Sequence, residues 1–140
     1  MKAEEKGRTM GDPLAEARYV NLATFRRDGT RVGTPVWAAE VGGVYYVFSA
    51  GDAGKVKRLR HTNRAEVAAC DARGGLLGEW HSARAELIEG PGEVQVALDA
   101  LRAKYGWQMR LTDALAKVTG RYVKRAYIRV SFSTDELGAC

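Results

Sequence analysis

Three tight turns divide the first half of the chain into short extended segments. Asp28-Gly29 lies in a hairpin signal at residues 27–30, Gly42-Gly43 forms a second turn and Gly74-Gly75 a third. Connections this short favour antiparallel pairing, because parallel strands need a long crossover. The turns therefore predict a mainly β protein, a small β-barrel with peripheral helices, in preference to a parallel α/β sheet.

Six strands are predicted from runs of apolar, aromatic and alternating residues. The run Val44–Phe48 is apolar without alternation, which is typical of a strand covered on both faces. Pro35 lies inside the second strand, and proline cannot donate to a sheet ladder, so this position is predicted at an edge, a bulge or a groove. The predicted strands are Tyr19–Arg26, Val32–Glu40, Val44–Ser49, Ala65–Asp71, Glu79–Glu89 and Val123–Ser133.

Helices are predicted at the periphery. A short helix starts at Asp12-Pro13 and continues to about Arg18, since aspartate suits an N-cap and proline the first helical position. Two amphipathic helices follow Gly90-Pro91-Gly92, and their apolar faces are predicted to pack on the barrel. Those faces are Val94, Leu98, Leu101 and Tyr105 in the first helix, and Trp107, Leu111, Leu115 and Val118 in the second.

Length and charge set the broad class. The 140 residues fit one globular domain, predicted at residues 12–140 after a flexible charged lead at residues 1–11. No apolar run approaches the roughly 20 residues of a bilayer span, and the N-terminus lacks an apolar signal core. A cytoplasmic protein without a membrane partner is expected. The net charge of +5 predicts an anionic partner.

A basic segment, Ser49–Arg60, follows the third predicted strand. The segment is predicted to form a turn and a short helix, in which Val56 and Leu59 are spaced to face inward. Its four cations are Lys55, Lys57, Arg58 and Arg60. Backbone N–H groups at a helix start attract anions, and neighbouring cations strengthen the attraction. The segment therefore predicts either a phosphate-binding site or a solvated basic helix that closes one end of the barrel.

The chain carries no self-contained catalytic motif. Its two histidines, His61 and His81, lack metal-ligand spacing, and no serine lies in a nucleophile-elbow motif. Gly54-Lys55 is not a Walker motif, because Val56 replaces the required Ser or Thr. No metal site is predicted. An enzyme of this composition would take its chemistry from a cofactor with a phosphate group.

An ordered set of segments carries a family resemblance: Tyr19–Gly29 with Gly33–Trp37, Ser49–Arg60, Leu77–Trp80 and Ala103–Gln108. In this order and spacing they resemble the pyridoxamine 5'-phosphate oxidase-like FMN-binding split barrels, specifically the deazaflavin (coenzyme F420)-dependent branch. The likeness covers the chain from Ala17 to Ser133. It implies a homodimeric, six-stranded split β-barrel with cofactor sites at the subunit interface.

The same resemblance implies which residues bind the cofactor. In the family, the strand matching Val32–Glu40 runs along the flavin ring, and the segment matching Ser49–Arg60 binds the phosphate. Lys55 and Arg58 share a helix face, whereas Lys57 lies about 200° from Lys55, so Lys57 is the more probable surface charge. Trp80 is a possible cover for the ring, or a core residue. The predicted cofactor-binding residues are Thr34, Pro35, Val36, Ser49, Gly51, Lys55, Lys57, Arg58 and Trp80.

The function that the resemblance implies is hydride transfer from reduced coenzyme F420 to a small organic acceptor. FMN would fit the same site, and the preference for F420 rests on the resemblance. Two rival functions stay open. One is a non-enzymatic carrier of a flavin or of haem with the same fold. The other is a nucleic-acid-binding barrel, which is not expected because the aromatic residues are not interleaved with the cations.

Overall fold

A computed structural model describes residues 13–51, 53–120 and 125–132. The predicted lead at residues 1–11 lies outside them. None of the helices in these ranges is long and apolar enough to cross a bilayer. The described strands are β1 (Tyr19–Phe25), β2 (Arg31–Val36), β3 (Ala38–Val41), β4 (Val44–Ala50), β5 (Arg64–Cys70), β6 (His81–Ile88) and β7 (Arg125–Ser131). The described helices are α1 (Pro13–Glu16), α2 (Gly54–Leu59), α3 (Pro91–Tyr105) and α4 (Trp107–Thr119).

The strands form one antiparallel sheet in the order β2-β1-β5-β6-β7-β4-β3. The two edge strands, β2 and β3, are separated in the chain by Trp37 alone. Strands so close in sequence can lie at opposite ends of the strand order only if the sheet curls back on itself. The predicted mainly β barrel with peripheral helices is therefore confirmed, and Trp37 marks the seam where its edges meet.

The single predicted strand Val32–Glu40 is wrong, and the described residues form seven strands where six were predicted. The chain pairs with β1 up to Val36 and with β4 from Ala38 onward. Between them the backbone changes partners. Pro35 lies in β2, an edge strand, as predicted from its missing N–H group. The fifth predicted strand starts at His81, two residues later than expected.

Two neighbouring side chains of α3 hold the seam together. The Tyr105 hydroxyl accepts a hydrogen bond from the Ala38 N–H at 3.0 Å and lies 2.9 Å from the Arg18 carbonyl. Lys104 Nζ donates to the carbonyls of Ala17 and Ala38, each at 2.7 Å. The Trp37 ring stacks on Tyr105 with centroids 4.5 Å apart. We call this group the seam clasp.

Apolar residues form two clusters, one inside the barrel and one between the sheet and α3. β4 contributes to both, because Tyr45 and Val47 point into the barrel while Tyr46 and Phe48 point towards α3. The prediction that β4 is covered on both faces is confirmed. α3 also packs as predicted, with Leu98, Leu101 and Tyr105 buried.

The prediction for the second amphipathic helix, α4, is wrong. Trp107, predicted as core, is largely exposed, and so are Leu111, Leu115 and Val118. The buried side of α4 instead carries Met109 and the carboxylate Asp113.

Asp113 holds α4 against the rest of the chain through two arginines. It accepts hydrogen bonds from Arg102 at 3.0 Å and from Arg125 at 2.8 Å. The Asp113 and Arg125 side chains are only 7% and 4% exposed. Arg125 also lies over the Phe48 ring. Arg125 is therefore a buried partner of Asp113 and not a solvated surface charge.

We expect Asp113→Ala to lower the free energy of unfolding by about 3–5 kcal/mol, because it leaves the buried Arg125 guanidinium without its carboxylate. Urea denaturation measures the change. Glu66→Ala is the matched control: it removes a partner of the more exposed Arg31 and should change stability by about 1 kcal/mol or less. Equal losses in the two variants would contradict this account of Asp113.

The seam clasp should make the free energy of unfolding vary with pH in the alkaline range. Burial, together with the nearby Arg18 charge, lowers the pKa of Lys104 from 10.5 to about 8. Between pH 8 and 10.5 the unfolded chain therefore binds more protons at Lys104 than the folded chain does, so stability rises with pH. Burial raises the pKa of Tyr105 from 10.0 to about 12. The Tyr105 hydroxyl therefore ionises at a lower pH in the unfolded chain than in the folded chain, so stability falls above pH 10.

We expect urea midpoints to rise from pH 7.5 to pH 9.5 in the wild type. Lys104→Met removes this titrating amine and keeps Tyr105 and Lys55, whose pKa is also lowered by burial, so its midpoints should rise less than those of the wild type. A wild-type profile that falls across this range, or an equal rise in both proteins, would contradict the role of Lys104.

Candidate functional site

The basic helix α2 closes one end of the barrel. Val56 and Leu59 are buried, as predicted from their spacing, and Leu59 belongs to the cluster inside the barrel. α2 packs against β1 and β6. Because the helix has only six residues, its dipole is small, and any attraction for an anion must come mainly from side chains.

Arg58 is fixed in place by the end of β1. Its Nε donates to Thr24 Oγ1 at 2.6 Å, and Thr24 is fully buried. The guanidinium folds back over the first turn of α2, where a Cβ at Gly54 would lie 2.9 Å from Nη1. Arg58 is thus held at the barrel end with its terminal nitrogens beside Gly54.

Lys55 and Arg26 extend this positive charge. Lys55 is half-buried, and its pKa is lowered first by desolvation and then by the Arg58 charge. Desolvation and the charge of Arg26 likewise lower the pKa of Arg58. Among the described residues, no ion pair involves Lys55 or Arg58. We call Arg26, Lys55 and Arg58 the basic cluster; a bound anion would offset the repulsion within it.

The other predicted phosphate ligands lie in different surroundings. Lys57 and Arg60 are exposed, so α2 separates its cations onto two faces as expected. Ser49 is buried near the end of β4, in the same inward phase as Val47, and its Oγ lies 3.4 Å from the Ala50 carbonyl. Gly51 lies in the turn that leads to α2.

The predicted ring strand is joined to the basic cluster through β1. Thr34 pairs with Leu22, and Val32 pairs with Thr24, the residue that binds Arg58. Thr34 is two residues along β2 from Val32, and two residues of extended strand span about 7 Å. The structure therefore brings Thr34 near Arg58.

The side chains of the three predicted ring contacts do not share one face. Thr34 and Val36 follow the inward phase, and Val36 is buried in the barrel cluster. Pro35 pairs with Asn21 and follows the outward phase.

A side-chain amide crosses the outer face of β2. Asn21 Nδ2 donates to the Gly74 carbonyl at 3.3 Å, which ties the β5–β6 loop to β1, next to the edge strand. Asn21 Oδ1 is buried and has no hydrogen-bond partner among the described residues. A Cβ at Gly33 would lie 2.4 Å from that oxygen, so glycine is required for the amide to lie where it does.

Trp80 is not brought to the basic cluster within one chain. Arg31 lies over the Trp80 ring at 4.5 Å and pairs with Glu66 at 2.8 Å. Glu66 pairs with Ala23, which points to the opposite side of β1 from Thr24. Trp80 therefore lies against the outer face of the sheet, while Arg58 binds its inner face.

Sequence reasoning missed Thr24 and Arg26. Thr24 continues the inward alternation of Val20 and Leu22, so the sequence pattern could have predicted a hydroxyl group inside the end of the barrel. Arg26 follows β1 directly, at the start of the hairpin. In the described part of the chain, no three His, Cys, Asp or Glu side chains are grouped to hold a metal ion.

The sequence matches no protein-family model and no curated protein. Its fold is similar to several solved structures. A candidate pyridoxamine 5'-phosphate oxidase from Listeria innocua aligns with a TM-score of 0.60 and 13% identity. The alignment covers 91% of this chain and 92% of that one. HutZ, the haem storage protein from Vibrio cholerae, aligns with a TM-score of 0.67 and 14% identity over 95% of this chain and 92% of that one.

ChuZ from Campylobacter jejuni aligns with a TM-score of 0.68 and 10% identity over 95% of this chain. The chain spans 55% of the length of ChuZ. At these identities the likeness establishes the fold, which is that of the pyridoxamine 5'-phosphate oxidase-like split barrels.

We expect Gly33→Ala to destabilise the protein by about 1–3 kcal/mol, because the new methyl group collides with Asn21 Oδ1. Chemical denaturation of Gly33→Ala, Asn21→Ala and the double variant measures the coupling. The double variant should recover most of the loss caused by Gly33→Ala, since the collision is gone. Purely additive effects would show that the amide does not occupy the space beside Gly33.

Proposed function

We propose that this chain is a flavin- or deazaflavin-dependent oxidoreductase that transfers a hydride from reduced coenzyme F420 to a small organic acceptor. The observation that carries the proposal is the basic cluster. Its cations are packed together at the end of a flavin-type split barrel, and no carboxylate pairs with Lys55 or Arg58 in the described residues. Lys55 and Arg58 are half-buried, whereas Arg26 is exposed. The repulsion between two half-buried like charges is unfavourable unless an anion joins them.

The cofactor phosphate would be bound by Lys55 and Arg58, with the Ser49 hydroxyl and the turn at Gly51 beside them. Arg58 is suited to this role, because its Nε is occupied by Thr24 and its terminal N–H groups can bind two phosphate oxygens. Lys57 faces away and would contribute only long-range attraction. F420 carries a polyanionic tail beyond its phosphate, which the surplus of surface cations around α2 would favour.

The ring would lie along β2 at Thr34, Pro35 and Val36. As an edge strand, β2 has backbone groups that no neighbouring strand occupies, and these can bond the polar edge of a flat heterocycle. Pro35 has no N–H, so a ligand meeting it finds only its carbonyl and its ring. The bound cofactor supplies the hydride. The protein holds donor and acceptor in line, and no side chain of this chain is nominated as a catalytic residue.

A homodimer with cofactor sites at the subunit interface is part of the proposal. Trp80 lies on the opposite sheet face from the basic cluster. It could cover a ring bound at β2 only if a second copy brought its own outer face there.

Lys55→Ala should weaken cofactor binding by about 1.5–3 kcal/mol, roughly 10- to 150-fold, because it removes one charge-assisted hydrogen bond to the phosphate. Titration calorimetry with F420 and with FMN measures the affinity. Lys57→Ala is the matched control, since it removes the same charge from the exposed face of the same helix, and its affinity should change less than about 3-fold. Equal affinities for the wild type and Lys55→Ala would place the phosphate elsewhere.

The activity itself is tested with the purified protein, reduced F420 and a panel of quinone, enone and nitroaromatic acceptors. Reoxidation of F420 that requires both protein and acceptor supports the proposal. Tight F420 or FMN binding without turnover on any acceptor would make the protein a carrier. Because HutZ is a haem storage protein, haem is titrated in parallel, and a saturable Soret shift with no flavin binding would overturn the proposal.

A further inference from the structure

Helix α4 presents its apolar face outward, the reverse of an ordinary surface helix. The side facing the protein carries Met109 and the ion-paired Asp113, whereas the side facing outward carries four large apolar side chains. On a helical wheel these four fall within about 80° of one another. We call them the α4 stripe; their exposed fractions are 72% for Trp107, 52% for Leu111, 58% for Leu115 and 84% for Val118.

This orientation is fixed by the two arginines that bind Asp113. Turning the stripe inward would expose Met109 and pull Asp113 away from Arg102 and the buried Arg125. Separating that buried guanidinium from the Asp113 carboxylate is strongly unfavourable. The stripe therefore cannot be buried by a simple rotation of the helix.

The size of the stripe matches half of a protein interface. From the exposed fractions, its side chains leave on the order of 500 Å² open to solvent, as large as the largest apolar patches of monomeric proteins. Two such stripes facing each other would remove about 1,000 Å² in total, the lower limit for a specific interface.

We propose that the α4 stripe packs against the same stripe of a second copy of this chain. The inference rests on the homodimer of the proposed function and identifies one of its contact surfaces. In a two-fold contact each surface meets itself, and the stripe is apolar throughout its length, so it is self-complementary.

Cations lie on both borders of the stripe. Arg110 and Lys117 border one side of it. On the other side, Gln108 accepts a hydrogen bond from Arg18. Like charges therefore meet at the rim in either direction of pairing, and the apolar centre supplies the attraction.

Single cysteines test the arrangement, in a full-length background carrying Cys140→Ser; the native Cys70 is buried. In a parallel pair each stripe residue would face its own counterpart, so Leu111→Cys and Val118→Cys would each form disulfide-linked dimers on mild oxidation. In an antiparallel pair Val118 would face Trp107, and only a mixture of Val118→Cys with Trp107→Cys would link. Either pattern supports pairing through the stripe. Val96→Cys on α3, also exposed, is the control and should stay monomeric on a denaturing gel.

Association is tested with Leu111→Asp/Leu115→Asp, measured by sedimentation velocity. We expect the dimer dissociation constant to rise at least about 100-fold, with an unchanged circular dichroism spectrum, while Val96→Asp stays dimeric. A dimer that persists in the stripe variant, or cysteines that link in no combination, would overturn the inference.

Two further outcomes separate the inference from the proposed function. A wild-type protein that is monomeric and sediments with phosphatidylcholine–phosphatidylserine vesicles through the stripe would assign it to a lipid surface and overturn the inference. Failure to bind F420, FMN or haem, with cysteine-linked stripe dimers still formed, would overturn the proposed function and leave the pairing through the stripe supported.

Discussion

The barrel depends on the seam clasp between α3 and the junction of the two sheet edges. Ala38 is the first residue of β3, and both Tyr105 and Lys104 bind its backbone groups. The same two side chains reach the carbonyls of Arg18 and Ala17, directly before β1. One helix end thereby fixes the chain on both sides of the seam. Since β2 leads into that junction, the position of the proposed ring strand also depends on α3.

The basic cluster is built without a long helix. Arg58 is anchored by a fully buried threonine, and the charge of Arg58 lowers the pKa of the neighbouring Lys55. In the proposed function, the cofactor phosphate would offset the repulsion between these cations. Lys57 precedes Arg58 in the sequence but lies on the exposed face of α2, so it does not belong to the basic cluster.

Much of the fold could be predicted from local signals. The turns at Gly29, Gly42 and Gly74 lie where the sequence predicted them, and each of these glycines has a positive φ that favours glycine. The edge position of Pro35 followed from its missing donor. The break at Trp37 could not be predicted, because the bonds that end β2 and begin β3 come from α3, more than 60 residues later. The outward α4 stripe was missed for a similar reason: periodicity shows that a face is apolar, but not which side Asp113 and its arginines hold.

The edge strand β2 also bears on how copies of this protein can meet. An exposed strand edge is a template onto which another chain can add its own strand, and long flat edges lead to aggregation. Here the edge is six residues long and is interrupted by Pro35, which offers no donor to an incoming strand. Growth of the sheet from one molecule into the next is therefore blocked at β2. Pairing through side-chain surfaces, such as the proposed pairing of the α4 stripes, adds no strand to the sheet. The proposed ring strand could thus stay open to a ligand without becoming a starting point for fibrils.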